Sequence, residues 1–246
     1  MARREKCEGD RPDNSRFDWG FVERILTLSV IRTVFLFGPP GVGKTYAAYH
    51  YGRPRGDVYA ITLTPDTPAA ELRGTWIPHG NEFVWHDGPF TAAMREGARV
   101  VVNEVTHGSD DVLALLYPVL ESPQTALLTL PTRETVRPAP GFQVICTDNP
   151  PPLSLPPALQ DRFDCVIEIE EPHPDALALL SEPLRRAALQ TTKLEPERAV
   201  GLRKWLKIEE LRGPLGLENA CRAVLGRERG RLIYDALSLS QEELPL

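Results

Sequence analysis

The stretch Gly38-Pro-Pro-Gly-Val-Gly-Lys-Thr45 decides how the rest of this chain is read. It matches G-x-x-x-x-G-K-[ST] in full, directly after the apolar run Thr33–Phe37 and directly before a helical pattern beginning at Lys44. Its glycines let the backbone curl until the N–H groups point inward, which makes a cradle for phosphate oxygens. The helix start adds a positive dipole end. Lys44 is placed to reach β- and γ-phosphates as a point charge, and the Thr45 hydroxyl to ligate Mg²⁺. Gly38, Pro39, Pro40, Gly41, Val42, Gly43, Lys44, Thr45 and Tyr46 are therefore the expected nucleotide-binding residues.

Around this loop, five runs of apolar, largely β-branched residues read as buried strands: Thr33–Phe37, Val58–Leu63, Arg99–Val102, Phe142–Thr147 and Cys165–Ile169. Helical patterns separate most of them, at Lys44–Tyr51, Thr91–Glu96, Asp110–Leu120 and near Pro157–Asp161, and another precedes them at Asp18–Val30. Continuous apolar strands alternating with helices predict a five-stranded parallel sheet covered on both faces. Two connections, Pro65–Arg95 and Ser122–Pro140, are longer than ordinary loops and carry short extended pieces, so they read as hairpin insertions. After Glu171-Pro-His-Pro the texture turns wholly helical. The expected organisation is a flexible lead-in over 1–16, an αβα core over 17–172 and a helical lid over 173–246.

A phosphate site of this kind calls for an acid nearby. Val100-Val-Val-Asn-Glu ends a strand on Asn103-Glu104, where P-loop enzymes carry an acidic Mg²⁺ ligand followed by a catalytic base. Glu104 is suited to polarise the attacking water. Asn103 stands at the metal position without a charge.

Composition narrows the partners. A formal net charge of −6 argues against a dedicated nucleic-acid binder, and Arg227-Glu-Arg-Gly-Arg231, interleaved with Glu, reads as a solvated face. No apolar run reaches the ~18 residues of a membrane span, and the charged opening residues are not followed by the apolar stretch of a secretory signal. The four cysteines are scattered without a C-x-x-C pair, and the five histidines show no metal-ligand spacing. A cytoplasmic location is expected.

Taken together, these residues resemble the AAA+ superfamily, and within it the MoxR-like branch related to the gas-vesicle and the rubisco and nitric-oxide-reductase activating ATPases. The resemblance spans roughly Leu36 to Glu170. Its most telling parts are Glu71-Leu-Arg-Gly-Thr75 and Trp85-His-Asp-Gly-Pro-Phe-Thr-Ala-Ala-Met-Arg-Glu-Gly97. Phe142-Gln-Val-Ile-Cys-Thr-Asp-Asn-Pro150 is similar to the branch's sensor 1 strand, which makes Asn149 the sensor. Leu159-Gln-Asp-Arg-Phe-Asp164 looks like its arginine-finger segment, which makes Arg162 the finger, acting on a neighbour's γ-phosphate. The insertions at about Arg73–Asp87 and Ala126–Pro138 correspond to segments that engage partners in this branch.

Two departures stand out: Asn103 replaces an Asp, and Leu215 sits where the sensor 2 arginine is expected, with Arg212 and Arg222 both close enough in sequence to substitute. The resemblance implies an ATP- and Mg²⁺-dependent ATPase with Glu104, Asn149, Arg162 and Lys44 as catalytic residues and Thr45 and Asn103 at the metal. It implies a homo-oligomer, a hexameric ring, that remodels a protein partner such as a von Willebrand factor A-type protein. Two other readings compete. One is an assembly scaffold that binds nucleotide and hydrolyses it very slowly, and the other is a DNA-associated motor similar to the GTP-driven units of modification-dependent restriction.

Overall fold

The chain's structure, a computed structural model, describes residues 18–52, 56–194 and 200–242; the expected lead-in over 1–16 lies outside the described residues. Helix α1 (Trp19–Thr27) starts where Asp18 accepts a hydrogen bond from Phe21 N at 2.7 Å, an N-cap that satisfies a donor the first turn would leave orphaned. It is followed by β1 (Thr33–Phe37), α2 (Lys44–His50), β2 (Val58–Thr62), α3 (Ala69–Arg73), β3 (Gly74–His79), β4 (Glu82–Asp87), α4 (Pro89–Glu96) and β5 (Arg99–Asn103). Next come α5 (Asp110–Val119), β6 (Leu128–Thr129), β7 (Thr135–Val136), β8 (Gln143–Asp148), α6 (Pro157–Gln160) and β9 (Cys165–Glu168). Beyond β9 the described residues form helices alone: α7 (Pro174–Ala178), α8 (Glu182–Leu194), α9 (Leu202–Leu215), α10 (Leu217–Leu225) and α11 (Arg227–Glu242).

The expected five strands assemble into one sheet in the order β2-β5-β8-β1-β9, parallel throughout. Their side chains alternate between two cores, as the pleat requires. Val34, Leu36, Val101, Ile145 and Ile167 face α1 and α2. Phe35, Val100, Val102, Val144 and Cys146 face the opposite way, toward α3, α4 and α5. Burying each large apolar side chain contributes about 1.5–3 kcal/mol, so these two faces are the main driving force for the sandwich. A third core, built around the fully buried Trp205 with Leu184, Ile208 and Leu237, draws all its buried members from Leu180 onward.

Most expected elements stand within a residue or two of their sequence bounds, and α4 gains its first turn from Pro89 behind Gly88. The short helix α3 was not expected. Both long connections contain antiparallel hairpins, β3–β4 and β6–β7. The first is anchored on the core by Trp85 and otherwise largely exposed: Phe83 is 67% exposed and Trp76 48%, with the Trp76 ring edge-on to Trp85 at 5.5 Å. No helix among the described residues is long and apolar enough to cross a membrane.

Candidate functional site

Three neighbouring strands end level with one another, because Asn103 pairs in register with Thr147 and Phe37 with Asp148. The segments leaving those ends carry the chemistry, at the carboxyl edge of a parallel sheet where its order reverses, the usual ligand position in such folds. The loop 38–43 fits only glycine at its tightest points. Gly38 has φ 140°, and a Cβ there would lie 2.0 Å from Ile169 O. Gly43 has φ 117°, and a Cβ would meet the His173 side chain at 2.9 Å. The backbone is thus held curled by close contact. Two N–H groups from beyond the sheet, His173 N to Val42 O at 2.8 Å and Leu202 N to Gly41 O at 3.0 Å, tie the loop to the helical part.

Lys44 is 7% exposed, and its Nζ donates to Gly38 O and Pro39 O at 2.8 Å each and to Asn149 Oδ1 at 3.1 Å. Burial pulls its pKa down to about 8, opposed by the charges of Glu104 and Asp148. A buried ammonium held only by neutral oxygens suits an incoming anion. Thr45 Oγ1 donates to Asn103 Oδ1 at 3.1 Å, and Thr147 Oγ1 donates to the same oxygen at 2.9 Å. Thr45 and Asn103 therefore sit side by side and offer oxygens suited to a hard cation. No cluster of three or more His, Cys, Asp or Glu able to hold a metal occurs among the described residues.

Glu104 follows in the left-handed region, φ 56° and ψ 46°, with its N–H fixed on Thr147 O at 2.8 Å. Non-glycine residues avoid that region, and such strain collects at functional positions. Its neighbour across the sheet end is Asp148, 1% exposed, whose two carboxylate oxygens accept from Thr106 N and Asn149 N, each at 2.7 Å. That carboxylate clamps the loop bearing Glu104 to the loop bearing Asn149. Nothing in the sequence marked Asp148 for this.

Lys44, Thr45, Tyr46, Glu104 and Asn149 line one side of a cleft of about 730 Å³ between sheet edge and helices, whereas Asn103 and Asp148 stand behind this lining. The opposite wall brings in His173, Asp175, Arg203 and Lys204, which sequence reasoning did not single out, and Arg229, which it read only as part of the solvated stretch 227–231. Tyr46 lies edge-on to His173, with ring centroids 4.9 Å apart. The two arginines offered as sensor 2 replacements point to other duties. Arg212 bonds Ser181 Oγ and pairs with Glu209, Arg222 pairs with Glu218, and neither lines the cleft. Leu215 is exposed at the end of α9. Arg162 is not a cleft residue either; its guanidinium pairs with Glu121 at 2.5 Å. A cavity of about 760 Å³ lies at the other end of the strands, but its buried Arg99 is occupied by Gln143 and the carbonyls of Ala48 and Tyr51.

The chain is 35% identical over 149 residues to Protein NorQ of Paracoccus denitrificans, covering 57% of this chain and 53% of the relative. It is 30% identical over 135 residues to the denitrification regulatory protein NirQ of Stutzerimonas stutzeri, covering 53% and 49%. To Protein CbbQ of Hydrogenophilus thermoluteolus it is 29% identical over 140 residues, covering 55% and 48%. The chain thus spans about half the length of the curated relatives it matches. These relatives bear out the resemblance to the MoxR-like branch. The sequence profile of the AAA domain, dynein-related subfamily, matches residues 33–163, more than half of the chain, and the chain belongs to that AAA family.

Proposed function

We propose that the chain binds ATP with Mg²⁺ in the cleft and hydrolyses it as one subunit of a homo-oligomeric ring, and that it spends the energy on remodelling a protein partner. The observation that carries this reading is the convergence of Lys44, Thr45, Glu104 and Asn149 from three strand ends on one cleft. Lys44 neutralises phosphate charge, and the curled loop supplies N–H donors to the phosphate oxygens. Thr45 and Asn103 hold the metal, which when bound draws charge from the phosphates. Glu104 takes a proton from the attacking water. Asn149, already bonded to Lys44, orients that water without adding negative charge. Arg162 of a neighbouring subunit stabilises the charge that builds at the γ-phosphate. The protein needs only to position and to neutralise.

The division into a core over 17–172 and a lid over 173–246 belongs to this proposal; the separate third core from Leu180 onward supports it. The exposed aromatics of the β3–β4 hairpin support a role in gripping the partner, for which a von Willebrand factor A-type protein is the expectation. A six-membered ring and a cytoplasmic location complete the proposal. One observation favours a slower enzyme, a scaffold whose output is assembly: the position facing Thr45 is an amide instead of a carboxylate.

The direct test is Lys44→Ala with a fluorescent ATP analogue. Losing a charged contact costs about 1.5–3 kcal/mol, tenfold or more in affinity. Binding within about twofold of wild type would overturn the reading.

A further inference from the structure

Arg162 is held inside its own subunit by a set of contacts with one weak point. Its backbone is anchored: the N–H donates to Leu159 O at 3.1 Å and the carbonyl accepts from Thr33 Oγ1 at 2.8 Å. The side chain folds back toward the end of α5. There Nη2 meets Glu121 Oε1 at 2.5 Å, Nη1 donates to Ala158 O, and the guanidinium carbon lies 5.1 Å from the centroid of the Tyr117 ring. Nε is buried and has no acceptor among the described residues. Glu121 is equally fixed at its base, because Val119 and Leu120 before it are buried in the first core. Only the two side chains are free to part. They are 27% and 39% exposed, so the pair is reachable from outside.

We propose that Glu121 is a positioning residue for Arg162: its carboxylate keeps the guanidinium retracted until phosphate on a neighbouring copy of this chain takes its place. This rests on the reading above, in which Arg162 acts across a subunit boundary. The exchange replaces one anion by another. A carboxylate and a phosphate both suit a guanidinium's planar fork, but the phosphate carries more charge and more acceptor oxygens. A partly exposed ion pair is weak and yields readily. The swap also releases Nε from a pocket where it bonds to nothing. Nucleotide on one copy thereby favours docking of the next, and the chain without nucleotide keeps its finger neutralised. Assembly becomes dependent on nucleotide without any added domain.

The test is sedimentation of Glu121→Gln with Mg²⁺ and a non-hydrolysable ATP analogue across protein concentrations. Glutamine keeps the shape and removes the charge. The protein concentration at half-assembly is expected to fall about two- to fivefold, the worth of one partly exposed pair per interface. Glu121→Asp, which withdraws the carboxylate by one methylene, should move the midpoint the same way by less, and it serves if the glutamine variant does not fold. In an Arg162→Ala background both shifts should vanish, because the carboxylate would have nothing to hold. An unmoved midpoint in both single variants overturns the proposal, as does an equal shift without Arg162. The two levels separate cleanly. Arg162→Ala with wild-type turnover would sink the finger reading itself, whereas an inactive Arg162→Ala beside unmoved Glu121 variants sinks only the latch.

Discussion

Lys44 and Asn149 stand 105 positions apart in the chain, and Nζ of the first donates to Oδ1 of the second at 3.1 Å. The contact joins the phosphate loop to the end of β8 and holds an ammonium that burial has brought down to about 8. Phosphate beside that ammonium favours its charged form, so binding takes up a proton wherever the free lysine has lost one. Affinity for the triphosphate should be flat between about pH 7 and 8, where the terminal phosphate is ionised, and fall above it, by up to about tenfold per pH unit. Stability of the free chain runs the other way. The folded pKa lies below the ordinary 10.5, so this contribution is fully present above 10.5 and is lost as pH falls through about 8. Calorimetric titration at pH 9, in two buffers of different ionisation enthalpy, reads the proton directly. Binding without proton uptake, at a pH-independent Kd, would contradict the expectation.

Arg162→Ala should leave nucleotide binding largely intact and remove most hydrolysis, since its guanidinium is absent from its own cleft. Glu104→Gln should do the same for a different reason, the loss of the base. Mixing the two variants creates interfaces that draw base and finger from different subunits, and some turnover should return. Mixtures that never recover, although sedimentation shows them co-assembled, would count against action across the interface.

Among the lid cations, Arg229 lines the cleft and Arg212 and Arg222 do not. Arg229→Ala should therefore lower kcat/KM for ATP about tenfold or more, the usual worth of a charged contact. Arg212→Ala, which loses a partly exposed pair with Glu209 and a bond to Ser181 Oγ, and Arg222→Ala, which loses a partly exposed pair with Glu218, should stay within about twofold because both lie away from the cleft. Steady-state kinetics on the three variants decides it, and the reverse ranking would return the role to the stretch around Leu215.

What could be read in the chain beforehand divides along a physical line. The sheet was legible because buried parallel strands are apolar throughout, and the phosphate loop because glycine, lysine and threonine at fixed spacing have few other uses. Glu104 was read from its place just after a strand and Asn149 from the resemblance of its strand to sensor 1, and both line the cleft. Arg229 was read only as part of a solvated basic stretch, because periodicity assigns a helix its buried face but does not say where α11 comes back to the cleft. The bond between Arg162 and Glu121, 41 residues apart, and the clamp formed by Asp148 were hidden for the same reason. Each is a tertiary coincidence of ordinary charged residues.

Asn103 is where the chain departs most informatively from the acid expected after this strand, and the structure sharpens what placing an acid there should do. Its Oδ1 accepts from both Thr45 and Thr147. An aspartate keeps that acceptor, so Asn103→Asp preserves the local bonds. What changes is the other terminal atom, from an NH₂ that a cation repels to an oxygen that shares a negative charge. Glu104 is present in both forms, so the chemistry itself is not being repaired; only the hold on the metal is. Asn103→Asp should therefore lower the Mg²⁺ concentration for half-maximal ATPase activity by about fivefold, the worth of roughly 1 kcal/mol for one charge acting through water. The rate at limiting Mg²⁺ should rise accordingly, while the rate at saturating Mg²⁺ should move less. Because a change in assembly would mimic either effect, the comparison belongs on protein whose oligomeric state has been matched by sedimentation. An unchanged Mg²⁺ dependence under those conditions would remove Asn103 from the metal and leave Thr45 as the side chain that holds it.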